Sequence, residues 1–166
     1  MKLNIIIPCY NEEGNVLLMH DKLTEALKNI DYELIFVNDG SKDNTYLKLK
    51  EIYESDKKHV RVINFSRNFG KDAAIYAGLA HAKAKYTSIV DGDLQQNPKY
   101  ILEMMNFLEE NEDYDAVAMV NEKRPNESFL ARFLKGAFYK FMNQLSDTKF
   151  HNGASDFRML ILVLNH

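Results

Sequence analysis

The chain contains few residues that could form covalent cross-links or a membrane anchor. Of its 166 residues, one is a cysteine, three are prolines and none is tryptophan. A single cysteine excludes a disulfide within the chain, which is compatible with a reducing compartment. No run approaches the ~20 apolar residues of a membrane-spanning helix, and the N-terminal apolar run is too short for a signal peptide. We therefore expect a cytoplasmic protein with no integral membrane anchor in this chain.

The net charge and the histidine pattern identify no macromolecular partner and no metal site. The formal net charge of −3 at pH 7 gives no reason to expect a nucleic-acid partner. The five histidines are scattered without the spacing of metal ligands, and we expect Cys9, which follows an apolar run, to be inert and buried. Composition alone therefore leaves an ordinary globular protein, and its function must be inferred from local motifs.

Short apolar runs alternate with helical patterns along the chain. This alternation is typical of an α/β fold, a mostly parallel sheet with helices on both faces, here as a single domain over residues 1–166. The predicted strands span residues 3–7, closed by Pro8, then 33–37, 60–65, 86–90 and 115–120. The predicted first helix spans about 12–29. A second helix is predicted to bury Tyr46, Leu49, Ile52 and Tyr53, and one opened by Pro98 to bury Ile101, Met104, Met105 and Leu108.

Four polar clusters follow the predicted strands. They read PCYNEEGN, NDGSKDNT, SRNFGK and DGDLQQNP. In a parallel sheet these positions converge on one edge, where open α/β sheets bind their ligands. Loops after strands are polar in most proteins, so solvated loops are the plain alternative. However, Asp39, Asp91 and Asp93 gathered at one edge would repel one another without a cation.

The cluster after the fourth strand carries the pattern of a divalent-cation site. Asp91 and Asp93 flank Gly92, where the missing side chain lets a ligand approach the backbone, and Gln95 supplies another oxygen. Such oxygen ligands suit Mg or Mn, which is commonly shared with substrate phosphates. Taken alone, a solvated Asp-Gly turn would be the better interpretation.

The cluster after the third strand has the composition of a phosphate site. Arg67 and Lys71 lie close to the predicted N-terminus of a helix, an arrangement suited to phosphate. A helix cap with surface charge is the simpler alternative. A dinucleotide-binding site would need G-x-G-x-x-G after the first strand, where this chain has PCYNEEG. A phosphatase with a carboxylate nucleophile would carry its D-x-D after the first strand, not after the fourth.

Five motifs in this order resemble one enzyme family. IIIPCYNEEGN, ELIFVNDGSKDNT, NFSRNFGKDAAIYAGLAHA, IVDGDLQQNP and NGASDFRM are similar to family 2 glycosyltransferases of the GT-A fold. The branch resembled is that of the dolichyl- and polyprenyl-phosphate hexose synthases, including bactoprenol glucosyltransferases. The resemblance implies metal-dependent, inverting transfer of a hexose from a UDP- or GDP-sugar to a polyprenyl or dolichyl phosphate, as in cell-envelope biosynthesis. Residues up to about 120 would bind the nucleotide-sugar, and 121–166 would face the acceptor.

The resemblance also implies roles for individual residues. Asp39 would recognise the base, Asp156 and Asp93 would be catalytic, and Asp156 would act as a base for a hydroxyl acceptor. With a lipid phosphate, already largely ionised because its second pKa is about 6, Asp156 would orient the sugar or acceptor instead. The implied nucleotide-binding residues are Pro8, Tyr10, Glu12, Asp39, Gly70, Lys71, Asp91 and Gly92. The implied ligands of Mg or Mn are Asp91, Asp93 and Gln95. The implied residues for the acceptor phosphate are Arg124, Arg132 and Arg158.

The C-terminal part leaves alternatives open. A predicted helix over 128–145 has a broad apolar stripe beside basic residues, which favours a core-facing helix over a peripheral contact with the inner face of the membrane. Members of the family continue beyond the DFR segment, whereas this chain ends within eight residues of Arg158, so we expect a truncated acceptor-side part. The alternatives are a non-catalytic nucleotide-sugar-binding domain, a subunit that needs a membrane partner, or transfer to a sugar hydroxyl in polysaccharide synthesis.

Overall fold

Apolar runs rich in isoleucine, valine and leucine form the strands, and amphipathic segments form the helices between them. The computed structural model describes residues 1–92, 97–120 and 154–161, and of 119, 120 and 154–156 it describes the backbone alone. The strands are β1 (Leu3–Cys9), β2 (Tyr32–Asn38), β3 (Val60–Asn64), β4 (Tyr86–Ile89), β5 (Ala116–Val120) and β6 (Ala154–Ile161). The helices are α1 (Val16–Leu27), α2 (Thr45–Ser55), α3 (Lys71–His81) and α4 (Lys99–Glu110).

The chain divides into two compact units. One comprises Met1–Val117 with Asp156–His166, and the other comprises Ala118–Ser155. The first unit contains nearly all the described residues, including every residue of the cavity discussed below. A single domain over 1–166, with its nucleotide-sugar part ending near residue 120, stays a prediction.

In the part of the chain that the structure describes, six strands form one sheet in the order β3-β2-β1-β4-β6-β5. β1 pairs in parallel with β2 on one side and with β4 on the other, and β2 pairs in parallel with β3. Every residue of β1 except Pro8 is buried, so both faces of this central strand are covered. The predicted mostly parallel α/β sheet is thus confirmed.

The sequence analysis did not predict β6. This strand runs antiparallel to β4, with Ile89 opposite Arg158 and Tyr86 opposite Ile161. Phe157 and Met159 are buried and the intervening Arg158 is exposed, so the segment has the period-two alternation of a half-buried strand. That alternation is a signal from which the strand could have been predicted.

Helix α3 packs closely on the sheet because its residues are small. Ala74 and Gly78 are buried in the helix, and a Cβ on Gly78 would overlap the side chain of Ile6 in β1. Ile6 belongs to a core cluster with Ile35, Val37, Ala74, Ala82 and Ile89. The close approach holds the N-terminus of α3 beside the carboxyl ends of the strands, where the polar clusters lie.

Two predicted core residues in α2 are exposed instead. Leu49 and Ile52 are buried as predicted, but Tyr46 is 37% exposed and Tyr53 is 39% exposed. The physical reason is that α2 covers β3, which is the edge strand of the sheet in the described residues, so no described strand lies under the outer side of the helix. Both rings line an outer groove of about 530 Å³. By contrast, all four core residues predicted for α4 are buried.

Pro8 continues the first strand instead of closing it. Proline lacks an N–H and is normally excluded from a central strand. Here the edge of β1 that faces β4 carries Ile6, whose carbonyl accepts from Val90 N–H at 3.0 Å. The backbone of Pro8 faces β4 in the same way, but the pairing of the two strands ends where Ile6 lies opposite Ile89, the last residue of β4. The missing N–H of Pro8 therefore removes no hydrogen bond between the paired strands.

Helices α1 to α4 are each 11 or 12 residues long. Within residues 1–92, 97–120 and 154–161, none is long and apolar enough to cross a membrane. The predicted helix over 128–145 lies outside the described residues.

Candidate functional site

A cavity of about 350 Å³ opens at the carboxyl ends of β1, β2 and β4. From β1 the chain first adds β2 and β3 on one side of the sheet and then adds β4 on the other side of β1, so the strand order reverses at β1. Open α/β sheets bind ligands in the crevice at such a switch point. The lining residues are Pro8, Cys9, Tyr10, Glu12, Asp39, Asn68, Gly70, Lys71, Asp91 and Gly92.

The lining brings together every residue to which the family resemblance gives a role in nucleotide binding. Cys9 and Asn68 also line the cavity but were not predicted as ligands. Their strand-end and loop positions are the signal that could have identified them. The larger groove between α2 and β3 contains none of the predicted site residues.

Asp39 forms a buried link between the loops after β2 and β3. It is 3% exposed, and its two carboxylate oxygens accept from Phe69 N–H at 2.7 Å and from Gly70 N–H at 3.0 Å. Hydrogen bonds to an ionised acceptor are about twice as strong as neutral ones. Asp39 therefore fixes the backbone immediately before Lys71, a role that its motif did not predict.

Lys71 and Asp91 form an ion pair across the cavity. The Lys71 Nζ and Asp91 Oδ1 atoms lie 2.5 Å apart, and the two side chains are 42% and 24% exposed. Lys71 is the first residue of α3, and Asp91 follows the end of β4. The pair thus brings a positive and a negative group of the cavity lining into direct contact.

The turn after β4 packs against the loop after β1. A Cβ on Gly92 would lie 3.3 Å from the carbonyl oxygen of Pro8 and 3.5 Å from Cγ of Glu12. The missing side chain therefore permits a close approach that brings the Asp91 turn beside Glu12. Two carboxylates, those of Asp91 and Glu12, line one small cavity, and oxygen donors of this kind fit a hard divalent cation.

The predicted metal ligands fall only partly within the described residues. Asp91 lies in the cavity wall, whereas Asp93 and Gln95 lie outside the described residues. In the described part of the chain, no three His, Cys, Asp or Glu side chains are grouped closely enough to hold a metal ion. The metal site therefore stays a prediction, and of its three predicted ligands the structure places Asp91 in the cavity wall.

A set of reciprocal hydrogen bonds joins the loop after β1 to the loop after β2. Asn11 N–H donates to Ser41 Oγ at 3.0 Å, and Asn11 Oδ1 accepts from Lys42 N–H at 2.8 Å. Glu12 N–H donates to Thr45 Oγ1 at 2.8 Å. Asn11 has a φ of 55°, a left-handed conformation that asparagine tolerates better than most residues. These bonds hold the part of the cavity wall that contains Tyr10 and Glu12.

Cys9 does not contribute a reactive thiol. It is 1% exposed, and burial, with the nearby Glu12 charge as a smaller cause, raises the pKa of its thiol well above the ordinary value. The thiol is therefore neutral at physiological pH. The expectation that Cys9 is buried is confirmed.

The remaining predicted residues lie elsewhere. Arg67 does not line the cavity; its guanidinium carbon lies 4.8 Å from the centre of the Phe69 ring. Arg158 is exposed in β6, and Ser88 Oγ donates to its carbonyl at 3.2 Å. Asp156 is described by its backbone in β6 alone, and Arg124 and Arg132 lie outside the described residues.

The sequence matches a known family over most of its length. The model of glycosyl transferase family 2 matches residues 4–163. The Bacillus subtilis protein CsbB, which is named as a glycosyltransferase, is 42% identical over 161 residues, covering 95% of this chain and 47% of CsbB. The prophage bactoprenol glucosyl transferase homolog of Escherichia coli K12 is 33% identical, covering 96% of this chain and 52% of that protein. The chain spans about half the length of these relatives.

The fold is similar to those of solved glycosyltransferases. The mannosyltransferase PcManGT from Pyrobaculum calidifontis, solved with GDP-Man and Mn2+, has a TM-score of 0.68 at 20% identity, covering 96% of this chain and 44% of that one. Glucosyl-3-phosphoglycerate synthase from Mycobacterium tuberculosis, solved with UDP, has a TM-score of 0.69 at 17% identity, covering 96% and 56%. The chain thus belongs to glycosyl transferase family 2 and has the GT-A fold.

Proposed function

We propose that this chain is the nucleotide-sugar-binding part of a glycosyltransferase that moves a hexose from a UDP- or GDP-sugar to a polyprenyl or dolichyl phosphate. The observation that carries the proposal is the cavity at the switch point of the sheet, lined by all eight residues predicted to contact the nucleotide. Its volume of about 350 Å³ lies within the usual range for small-molecule sites. The family to which the chain belongs supports the reaction type.

The cavity offers separate chemistry for the two ends of a nucleoside diphosphate. Tyr10, which is 41% exposed, presents an aromatic surface. Each oxygen of the buried Asp39 carboxylate already accepts one backbone amide, but a carboxylate has about four lone-pair sites, so it retains acceptor capacity for a base N–H. Lys71 supplies a cation, and the Asp91 carboxylate can share a divalent cation with phosphate oxygens. We therefore assign the base to the side of Asp39 and the diphosphate to the side of Lys71 and Asp91.

The chemical problem is to stabilise the departing nucleoside diphosphate. A divalent cation held by Asp91 with Asp93 and Gln95 would supply Lewis-acid charge stabilisation when bound. Lys71 would add a second positive charge at the same diphosphate. The proposed role of Glu12 is to hold the loop after β1 against the Asp91 turn, because its backbone N–H is bonded to Thr45 and its Cγ lies beside Gly92.

The acceptor is assigned from the named relatives. Several are called bactoprenol glucosyl transferases, which supports a lipid-linked phosphate. Such a phosphate is largely ionised near pH 7 and needs no base, so the proposed role of Asp156 is to orient the sugar or the acceptor. Arg124, Arg132 and Arg158 are proposed to attract the acceptor phosphate, which requires peripheral contact with the membrane surface.

Nucleotide binding should depend on a divalent cation. Saturating UDP or GDP, at about a hundredfold excess over Kd, is expected to raise the Tm by about 5–10 °C with Mn or Mg present, because a ligand that binds the folded state stabilises it. The shift should fall strongly in EDTA. Thermal unfolding with each nucleotide, with and without metal, measures this.

A pair of carboxylate variants controls that measurement. Asp91→Asn should remove the metal-dependent part of the Tm shift, whereas Asp113→Asn, on an exposed loop away from the cavity, should retain it. An equal nucleotide-induced shift with and without metal in the unmodified protein would contradict the metal assignment.

The acceptor is tested separately with radiolabelled UDP-glucose. Transfer to undecaprenyl phosphate in detergent micelles should yield a lipid-extractable product, and a soluble sugar acceptor should yield none. The phosphate already carries the nucleophilic charge, so the rate should change little between pH 7 and 8. Transfer to the soluble sugar alone would contradict the lipid-phosphate assignment and favour Asp156 as a general base.

A further inference from the structure

The carboxylate proposed to bind a divalent cation already holds a positive charge. Lys71 Nζ lies 2.5 Å from Asp91 Oδ1, within the cavity to which the nucleotide is assigned. Neither side chain is fully buried, the lysine being 42% and the aspartate 24% exposed. The ammonium group therefore lies against one of the two carboxylate oxygens through which Asp91 could bind a metal.

We propose that Lys71 is a displaceable internal counter-ion of Asp91, which competes with the divalent cation and is released by the diphosphate of the nucleotide. The proposal rests on the proposed function, because it assumes that Asp91 is a metal ligand. It adds that the two ligands bind cooperatively: a diphosphate that attracts Lys71 leaves Asp91 available to the metal. The resting ion pair then keeps the affinity for metal alone low.

The local structure permits this movement of the side chain without a change of fold. The backbone before Lys71 is fixed, because Asp39 accepts from both Phe69 N–H and Gly70 N–H. The lysine itself carries its ammonium on a flexible four-carbon stem with three rotatable donors. Its head can therefore move from one anion to another within the cavity while the start of α3 stays in place.

The neighbouring carboxylates indicate why Asp91 is the group that exchanges partners. Asp39 has both oxygens bonded to backbone amides. Glu12 lines the same cavity, but its Oε2 accepts from Asn15 Nδ2 at 2.6 Å. Asp91 is thus the cavity carboxylate that the cationic side chain holds, and a metal and an ammonium at the same oxygen would repel each other.

Mn²⁺ binding by calorimetry, without nucleotide and then with saturating UDP or GDP, tests the proposal. We expect Lys71→Met to bind Mn²⁺ alone about tenfold more tightly than the unmodified protein. We also expect the nucleotide to raise the Mn²⁺ affinity of Lys71→Met by a much smaller factor than it raises that of the unmodified protein. Couplings of this kind typically amount to about 5–150-fold and are reciprocal between the two ligands. Lys71→Arg, which keeps the cation, should stay within about threefold of the unmodified protein.

Two controls distinguish the possible failures. Lys50→Met removes the same charge far from the cavity, so an equal gain in Mn²⁺ affinity there would show a general charge effect and overturn the proposal. If Asp91→Asn abolishes Mn²⁺ binding but Lys71→Met leaves it unchanged or weaker, the counter-ion role of Lys71 is contradicted, whereas the proposed metal site at Asp91 is supported. If Mn²⁺ binds the unmodified protein no better than it binds Asp91→Asn, both the metal site and this inference fail.

Discussion

Replacing Gly40 with alanine is expected to lower the free energy of unfolding by about 2–4 kcal/mol and to abolish nucleotide binding. Gly40 has a φ of +63°, and an added Cβ would overlap the carbonyl carbon of Arg67 and lie 2.5 Å from Asn68 N. Both obstacles are backbone, which cannot rotate away as a side chain can. The loops after β2 and β3 would have to separate, which would break the contacts of Asp39 with the amides before Lys71.

The other glycines supply graded controls for Gly40→Ala. Gly14 has neither a positive φ nor an atom within 4 Å of an added Cβ, so Gly14→Ala should change stability by less than about 0.5 kcal/mol. Gly70 has a φ of +98° but open space, so Gly70→Ala should cost an intermediate amount, about 1–2 kcal/mol. Urea unfolding of the three variants gives the order. An equal loss of stability in Gly40→Ala and Gly70→Ala would show that the backbone at Gly40 moves to accommodate the added Cβ at no further cost, which would contradict the expected order.

Asp39→Ala is expected to lower the free energy of unfolding by about 2–4 kcal/mol and nucleotide affinity at least tenfold. Removing the buried carboxylate leaves the amides of Phe69 and Gly70 without their acceptor, and each unsatisfied amide costs about 1–3 kcal/mol. Because these amides precede Lys71, inorganic pyrophosphate should also bind more weakly. The family motif implies a role in base recognition; the structure adds a role in positioning the cation.

Two comparisons separate these roles of Asp39. Asp39→Asn keeps one acceptor oxygen and should lie between the unmodified protein and Asp39→Ala in stability. Asp113→Ala removes an exposed carboxylate and should leave both stability and pyrophosphate binding unchanged. Loss of nucleotide binding with unaltered stability and pyrophosphate affinity in Asp39→Ala would contradict the positioning role and leave base recognition alone.

The candidate site could be predicted largely from the sequence, because its residues follow strands. The carboxyl ends of parallel strands meet at one edge whatever the details of packing, so the clusters after β1, β2, β3 and β4 had to converge. Arg67 shows the limit of this reasoning. It lies in the same cluster as Lys71, yet its guanidinium stacks on Phe69, because side-chain direction within a loop depends on the neighbours it meets.

The sequence by itself determined the alternation of strands and helices, the convergent polar edge and the family, because each depends on local periodicity or on motif order. Only the tertiary structure decided that β6 pairs antiparallel with β4 and that Tyr46 and Tyr53 face an outer groove. It alone showed that Asp39 holds the amides before α3 and that Lys71 pairs with Asp91. The hydrogen bonds and the ion pair among these features join residues about 20 to 70 positions apart, and such contacts follow from packing and from the pairing of charges in space, which no local pattern encodes.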